Sequence, residues 1–502
     1  MPAREAPVLN QEDPRQQIAV VLDELKQESS INRSPNPPRA KAANSAVGPG
    51  SQQPRTTCDA ARSTPALDGR SRCLHGGPAE FVPREPDSLA ATGLSEPLVE
   101  SLMLKCVAHH TTATGREISQ QVCLPFRVVV DILRRLKDER MVVYKGAAAM
   151  GDYVYEITEA GFARARRYAE QTTYMEAAPV PLDQYTESVA AQSIRRQRPK
   201  MQTLRAAFAD LVIGDDLFLQ FGQAICAGLG IFLYGPPGNG KTSLAERITG
   251  ALGEGIWIPQ ALVAGGEIIR VYDPGIHEAL PDQQAATGDG EAVDRRWIRV
   301  RRPTIVAGGE LTLDLLDITT NPFTGVAKAP LQVKSNGGTL VIDDFGRQRV
   351  TPAELLNRWI VPLEKRYDFL NLISGRKIQV PFDQLIVFST NLEPSELVDE
   401  AFLRRIPYKI DVKDPTDSEL RDLFRRVADA MGITYSSEPI DYLIARHYRE
   451  AGRPMRFCHA RDLLSQVRIH CEFLERPLAL TREALDSAAK NYFAIMDGTT
   501  GP

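Results

Sequence analysis

The sequence predicts an α/β protein built on a doubly wound parallel sheet, followed by an all-helical unit and preceded by a small α+β unit. Three observations carry this expectation. The run Gly235-Pro-Pro-Gly-Asn-Gly-Lys-Thr242 follows the apolar stretch Ile231-Phe-Leu-Tyr234 and precedes a helical pattern. Two more short aliphatic runs, ending at Asp343-Asp344 and at Ser389-Thr-Asn391, read as buried strands with polar C-terminal ends. From Asp417 to Ile495 the pattern is almost wholly helical.

Bulk properties fix the class before any motif does. With 502 residues the chain is long enough for two or three cores. A hydrophobic fraction of 43%, a charged fraction of 25% and a net charge of -4 give no global basic excess, so any nucleic-acid contact must be local. The seven cysteines, at 58, 73, 106, 123, 226, 458 and 471, are scattered and form no C-x-x-C pair. They are expected to be reduced thiols of a cytoplasmic protein. The opening Met1-Pro-Ala-Arg-Glu-Ala lacks an apolar signal core, and no stretch approaches about 20 apolar residues, so no membrane span is expected.

Residues 1–90 hold one short amphipathic segment, Gln16 to Lys26, and then turn rich in Pro, Ser, Arg and Gly. Such a composition predicts a disordered tail, because it buries too little apolar surface to offset the ordering of its backbone. Residues 91–175 change character: a helix from Ser95, a polar break, a short helix from Gly115 to Val122, an amphipathic helix over 125–140, then strands at Met141–Lys145 and Tyr153–Thr158. Three helices and a hairpin in this order resemble a winged helix, with Phe126 to Lys137 in the recognition position and Thr158-Glu-Ala-Gly161 closing the wing. DNA contact would use residues 125–145, through Arg127, Arg134, Arg135, Lys137, Arg140 and Lys145. Residues 95–170 hold eleven Lys and Arg against ten Asp and Glu, which favours protein docking over DNA. Residues 176–201, with Pro179, Pro181 and the basic run Arg195-Arg-Gln-Arg-Pro-Lys200, read as a linker between this unit and an α/β unit over 202–412. A helical unit over 413–496 completes the chain.

The glycine-rich run fits a phosphate-binding loop. Its glycines allow positive φ, so that successive N–H groups of Gly235, Pro236, Pro237, Gly238, Asn239, Gly240, Lys241, Thr242 and Ser243, prolines excepted, can wrap a polyphosphate at a helix N-terminus. Lys241 would neutralise the phosphates and Thr242 would hold Mg²⁺. Hydrolysis needs an acidic strand end opposite the loop. Asp343 supplies a metal-side carboxylate and Asp344 a water-polarising one, while Asn391 can orient that water. Arg404 and Arg405 end a helix with no phosphate in reach inside one subunit, and Arg461 lies on a helix that could close over the nucleotide.

These segments, in this order, resemble the AAA+ ATPases. The resemblance matches Gly235 to Thr242 with Walker A, Leu340 to Asp344 with Walker B, Asn391 with sensor 1, Arg404 or Arg405 with the arginine finger and Arg461 with sensor 2. Val212, Ile213 and Gly214 match the segment that packs on adenine. It implies ATP and Mg²⁺ as ligands, hydrolysis to ADP and phosphate, a homo-hexameric ring and a remodelled macromolecule, with a protein substrate favoured over DNA. A nucleotide-dependent scaffold with little turnover is the third reading. The apolar runs of Tyr367 to Val380 flank Ser-Gly-Arg and predict a hairpin, similar to the pre-sensor-1 insertion of MoxR-like ATPases and nitrogen-sigma-factor activators. Between the loop and Asp343 the sequence predicts a polar loop, Ala279 to Val293, and a paired Trp297–Arg301 and Leu311–Asp317. Asn321-Pro-Phe-Thr-Gly-Val-Ala327 distantly echoes the activators' GAFTGA loop. Asp344 departs from the family, which carries glutamate there.

Overall fold

A computed structural model describes residues 81–281, 292–397 and 400–494. The expected tail helix, Gln16 to Lys26, and most of the polar loop Ala279 to Val293 lie outside the described residues. The chain divides into two units at Gly76, and the described residues belong to the second.

The first structured part runs through helices Glu96–His110, Gly115–Gln121 and Phe126–Asp138, strands Val142–Ala147 and Tyr153–Ile157, and helix Glu159–Gln171. Thr114 and Glu117 form a capping box that starts the second helix. Val99, Leu102, Ile118, Val129, Leu133, Leu136 and Tyr155 fill the core. One detail differs from the sequence reading. The polar break contains a strand, Thr112–Thr114, that pairs with Tyr153–Ile157 and makes the sheet three-stranded, because alternation there buries Ala113 between two threonines. Thr158 ties the base of the hairpin, its N–H donating to Met141 O at 3.0 Å and its hydroxyl to Arg140 O at 2.7 Å, and its side chain also accepts the Gly161 N–H to cap helix Glu159–Gln171.

Residues 176–201, expected as a linker, instead carry strand Val180–Pro181 and helix Leu182–Ala191. Val180, Tyr185, Val189 and Ile194 are buried, apolar positions that the neighbouring prolines and arginines masked in the sequence. The Tyr185 hydroxyl donates to the Val333 carbonyl at 3.2 Å and accepts from Asn336 Nδ2 at 2.8 Å. The Asp383 carboxylate takes Ser193 Oγ and the Ile194 N–H, each at 3.0 Å. Packing is continuous across the expected boundary, since Ala261, Ile268 and Val326 share the core of the N-terminal helices. Arg296, buried against Asp294 at 2.8 Å, also donates to the Thr92 carbonyl at 2.9 Å.

The central sheet has five parallel strands: β1 Ile231–Tyr234, β2 Thr304–Ala307, β3 Thr339–Ile342, β4 Leu385–Ser389 and β5 Tyr408–Asp411. Their order is β2-β3-β4-β1-β5. Helices Asp215–Ala227 and Lys241–Ile248 cover one face, and Pro352–Lys365, with the fully buried Trp359, covers the other. Both faces are therefore dry, which explains the near-continuous aliphatic strands.

Between helix Lys241–Ile248 and β3 the chain supplies four strands of a second sheet, Ala261–Ala264, Glu267–Arg270, Thr319–Thr320 and Ala327–Lys328, and Val180–Pro181 joins it from earlier in the chain beside Ala261–Ala264. Trp297–Arg301 does form a strand, but its antiparallel partner is Gly255–Pro259. Leu311–Asp317 is not its mate: Leu313–Leu316 is a 3₁₀ turn that buries Leu316. The hairpin Tyr367–Asn371 with Lys377–Pro381 stands before β4, in a register that pairs Tyr367 with Pro381 and Asn371 with Lys377. Residues 321–326 turn between Thr319–Thr320 and Ala327–Lys328, with Phe323 92% exposed.

The C-terminal part is helical, with Asp417–Met431, Ser437–Leu443, Phe457–Phe473 and Arg482–Phe493 around Leu420, Phe424, Leu463, Val467 and Leu485. No helix among the described residues is long and apolar enough to cross a membrane.

Candidate nucleotide-binding site

The C-terminal ends of β1, β3 and β4 meet at the glycine-rich loop. Gly235 leaves β1 at φ +131°, and a side chain there would stand 2.6 Å from the Val412 carbonyl, so the close approach requires glycine. Gly240, also left-handed, is the N-cap of helix Lys241–Ile248, whose first N–H groups point into the loop. Lys241 is buried at 7% exposure and its Nζ donates to Gly235 O and Pro236 O, both at 2.9 Å, and to Asn391 Oδ1 at 2.7 Å. Burial lowers its pKa, opposed by Asp343 and Asp344. Thr242 Oγ1 donates to Asp343 Oδ2 at 2.8 Å. Asp344 follows, exposed and at φ +50°, a left-handed conformation uncommon for a residue with a side chain. Its Oδ1 accepts from Asn391 Nδ2 at 3.2 Å. Lys241, Asn391 and Asp344 thus form one chain of bonds, and Thr242 with Asp343 a second beside it.

The strand ends are fixed from behind. Phe345 N–H donates to Ser389 O at 2.7 Å, Thr390 Oγ1 to Phe345 O at 2.9 Å, and Gln348 Nε2 to Asp343 O at 2.6 Å. These bonds hold the turn carrying Asp343 and Asp344 against the end of β4. Sequence reasoning gave no role to Gln348, which lies one turn beyond Asp343 and Asp344, or to Thr390, which sits inside the Ser389-Thr-Asn391 run it supports.

The helical part borders the loop. Pro237, Gly238 and Gly240 are exposed on the loop's rim, whereas Asn239 is buried at 3% exposure. Ser243 is half-buried on the following helix. Val212, Ile213 and Gly214 enter helix Asp215–Ala227, and a side chain at Gly214 would lie 3.1 Å from Glu419 Oε1 of the first C-terminal helix. That brings the end of the segment beside the first C-terminal helix.

The predicted arginines are less uniform. Arg404 is 76% exposed and pairs with Glu400, four residues back, at 2.7 Å. Arg405 is 27% exposed and pairs with Glu364 at 2.6 Å, across to helix Pro352–Lys365. Arg461 is 73% exposed and lies beside Asp462 at 3.5 Å. The arginine brought to the loop is Arg456, which pairs with Asp414 and whose Cβ lies 3.7 Å from where a Gly238 side chain would begin. Its signal in the sequence was position: Pro454 ends the preceding turn, so Arg456 is the N-cap of helix Phe457–Phe473, while Arg461 sits one turn further along.

Comparison with known proteins gives three findings. A domain of unknown function, DUF8689, matches residues 416–491, the C-terminal helices. No curated protein matches. Among solved structures, the chain is similar to the RuvB Holliday junction branch migration motor of Thermotoga maritima, at 16% identity over 59% of this chain and 72% of that one, TM-score 0.31. It is also similar to NtrX from Brucella abortus in complex with ADP, at 15% identity over 57% of each chain, TM-score 0.35.

Proposed function

We propose that the chain binds ATP with Mg²⁺ and hydrolyses it to ADP and phosphate, as an ATPase of the AAA+ kind. The observation that carries this reading is the convergence of Lys241, Thr242, Asp343, Asp344 and Asn391 at one edge of a parallel sheet, bonded at 2.7 to 3.2 Å. Each group then has a task. Lys241, freed from the loop carbonyls, neutralises the phosphates; the loop N–H groups cradle them. Thr242 and Asp343 present two hard oxygens 2.8 Å apart, a donor set that fits Mg²⁺ bound jointly with phosphates. Bound Mg²⁺ supplies neutralisation of charge on the transferred phosphoryl group. Asp344 accepts the proton of the attacking water, and Asn391, hydrogen-bonded to Asp344, fixes that water's position. Arg456 faces the phosphates from the helical part, in the role expected of Arg461.

The chain is proposed to act as a ring, hexameric by the resemblance. Arg404, exposed and paired among the described residues with the nearby Glu400, is the better finger than Arg405, which Glu364 holds. The remodelled target is proposed to be a protein. The alternative, DNA held by a winged helix at 125–145, is disfavoured by how its cations are used. Arg135 pairs with Glu96, Glu100 and Glu139, Arg134 with Asp131, Lys137 with Asp138 and Lys145 with Glu156. Arg295 also reaches over the start of that helix, donating to Leu124 O at 2.9 Å.

The test is phosphate release by the full chain with Mg²⁺ and ATP. Lys241→Ala should abolish nucleotide binding, and Asp344→Asn should keep binding and lose turnover. Turnover unchanged in Asp344→Asn would remove Asp344 from the mechanism; binding without turnover in the wild type would favour the scaffold reading. A gel shift of the full chain with duplex DNA at low salt decides the alternative.

A further inference from the structure

Asn239 occupies a variable position of the phosphate loop, yet at 3% exposure it is more deeply buried than Lys241 at 7%, and its side-chain hydrogen bonds run to the residues after β5 and to the C-terminal helices. Its Nδ2 donates to Val412 O at 3.3 Å and to Asp414 Oδ1 at 2.8 Å, and its Oδ1 accepts the Phe457 N–H at 3.4 Å. Val412 and Asp414 lie in the hinge between β5 and helix Asp417–Met431, and Phe457 is the first residue of helix Phe457–Phe473. One loop amide thus ties the hinge to a helix start. A backbone bond doubles the tie, from Cys458 N–H to Gly238 O at 2.9 Å.

Asp414 Oδ1 also accepts from Arg456 Nη1. Among the described residues, every hydrogen bond of Arg456 uses Nη1, to Asp414 and to Met455 O. A guanidinium is a rigid fork, so fixing one nitrogen fixes the plane and leaves Nε and Nη2 for an anion. The Arg456 side chain is only 18% exposed, so this orientation is also held by packing. Lys241 and Arg456 bring two positive charges to the same rim, an arrangement that a polyphosphate between them relieves.

We propose that Asn239 and Asp414 are positioning residues: Asp414 orients Arg456 toward the terminal phosphate, and Asn239 makes that orientation depend on the loop's conformation, so that loop occupancy is passed to the helical part. The proposal rests on the nucleotide-binding reading above.

The experiment uses the full chain with fluorescent ATP and ADP analogues, turnover, melting temperature and amide exchange. Arg456→Ala and Asp414→Asn should each weaken ATP binding about tenfold, as for one charge-assisted hydrogen bond, and ADP binding much less. The double variant should be no worse than Arg456→Ala, and Asp414→Glu, which keeps the charge, should recover part of the loss. Asn239→Ala should deprotect the 457 and 458 amides in the absence of nucleotide. Additive losses in the double variant, equal losses for ATP and ADP, or unchanged exchange in Asn239→Ala overturn the proposal while leaving nucleotide binding intact. A wild-type chain that binds neither analogue overturns the nucleotide reading, and the proposal with it.

Discussion

Asn391→Ala is the sharpest probe of the proposed chemistry, because this one amide touches both the phosphate-side cation and the water-side carboxylate. Its bond with Lys241, 2.7 Å long and part-buried, is charge-assisted; the 3.2 Å bond with Asp344 is longer and exposed. Bonds to charged groups contribute about 1.5–3 kcal/mol, and the short one dominates. If that stabilisation is used in the transition state, kcat falls about 10- to 150-fold. Ground-state binding should change little, since Lys241 keeps its loop carbonyls until phosphate displaces them. Asn391→Asp should be worse than alanine, because a second carboxylate beside Asp344 repels both it and the phosphates. The assay is steady-state phosphate release over a range of ATP concentrations, with binding measured separately. A kcat within twofold of wild type for Asn391→Ala, at unchanged affinity, would refute the assignment of the water-orienting role to this residue.

Other outcomes follow from single contacts. Gly238 has φ +82° and a side chain there would meet Cys458 Sγ at 2.6 Å, so Gly238→Ala should weaken ATP binding, and adding Cys458→Ala should recover only the steric part, measured by titration calorimetry. Mixing Lys241→Ala subunits with Arg404→Ala subunits should restore part of the turnover if active sites are shared between neighbours; no recovery argues for self-contained sites. Burial pushes His459 down to about 4 from 6.5, so the unfolded chain binds the extra proton as pH falls. The stabilisation is complete above 6.5 and is lost toward 4, by about 1.4 kcal/mol per pH unit, a slope that His459→Gln should flatten in urea melts at several pH values. Trp359→Ala, at the centre of one sheet face, should cost about 3–5 kcal/mol in the same melts.

The strands β1, β3 and β4 were legible because each is a buried or nearly buried apolar run closed by a chemically distinctive end, and so was the hairpin at 367–381, whose turn residues are unambiguous. β2 was not: Thr304–Ala307 is four residues long behind Pro303 and carries no motif, so its place beside β3 is decided by tertiary pairing alone. The second sheet was invisible for a related reason, since three of its strands are two residues long and are defined by their partners. Within the site, the residues that touch phosphate or metal by proposal announce themselves by type and spacing. Arg456 and Asp414 do not, because their significance lies in a contact between segments 42 positions apart. Arg461 was preferred on the helical pattern, which carries no information about which arginine reaches the loop.

The packing of residues 176–201 leads to a prediction that separates a linker from a structural element. A linker predicts that a chain beginning at residue 202 folds like the longer one. The structure predicts otherwise, because Val180, Tyr185, Val189 and Ile194 are all buried, three of them in the core that holds Trp257, Leu262 and Leu370. Burying such side chains contributes about 1.5–3 kcal/mol each, so their removal forfeits about 6–12 kcal/mol, comparable to the about 5–15 kcal/mol that keeps a domain folded. The loss is compounded by Asn336, which loses the Tyr185 hydroxyl, and by Asp383, which loses its Ser193 and Ile194 partners and remains largely buried as a carboxylate. Chains spanning 81–494 and 202–494 should therefore differ sharply in thermal melting and in solubility. If they melt within a few degrees of each other and bind ATP alike, the segment is a linker after all, and the continuity of core between the N-terminal helices and the α/β part has no energetic weight.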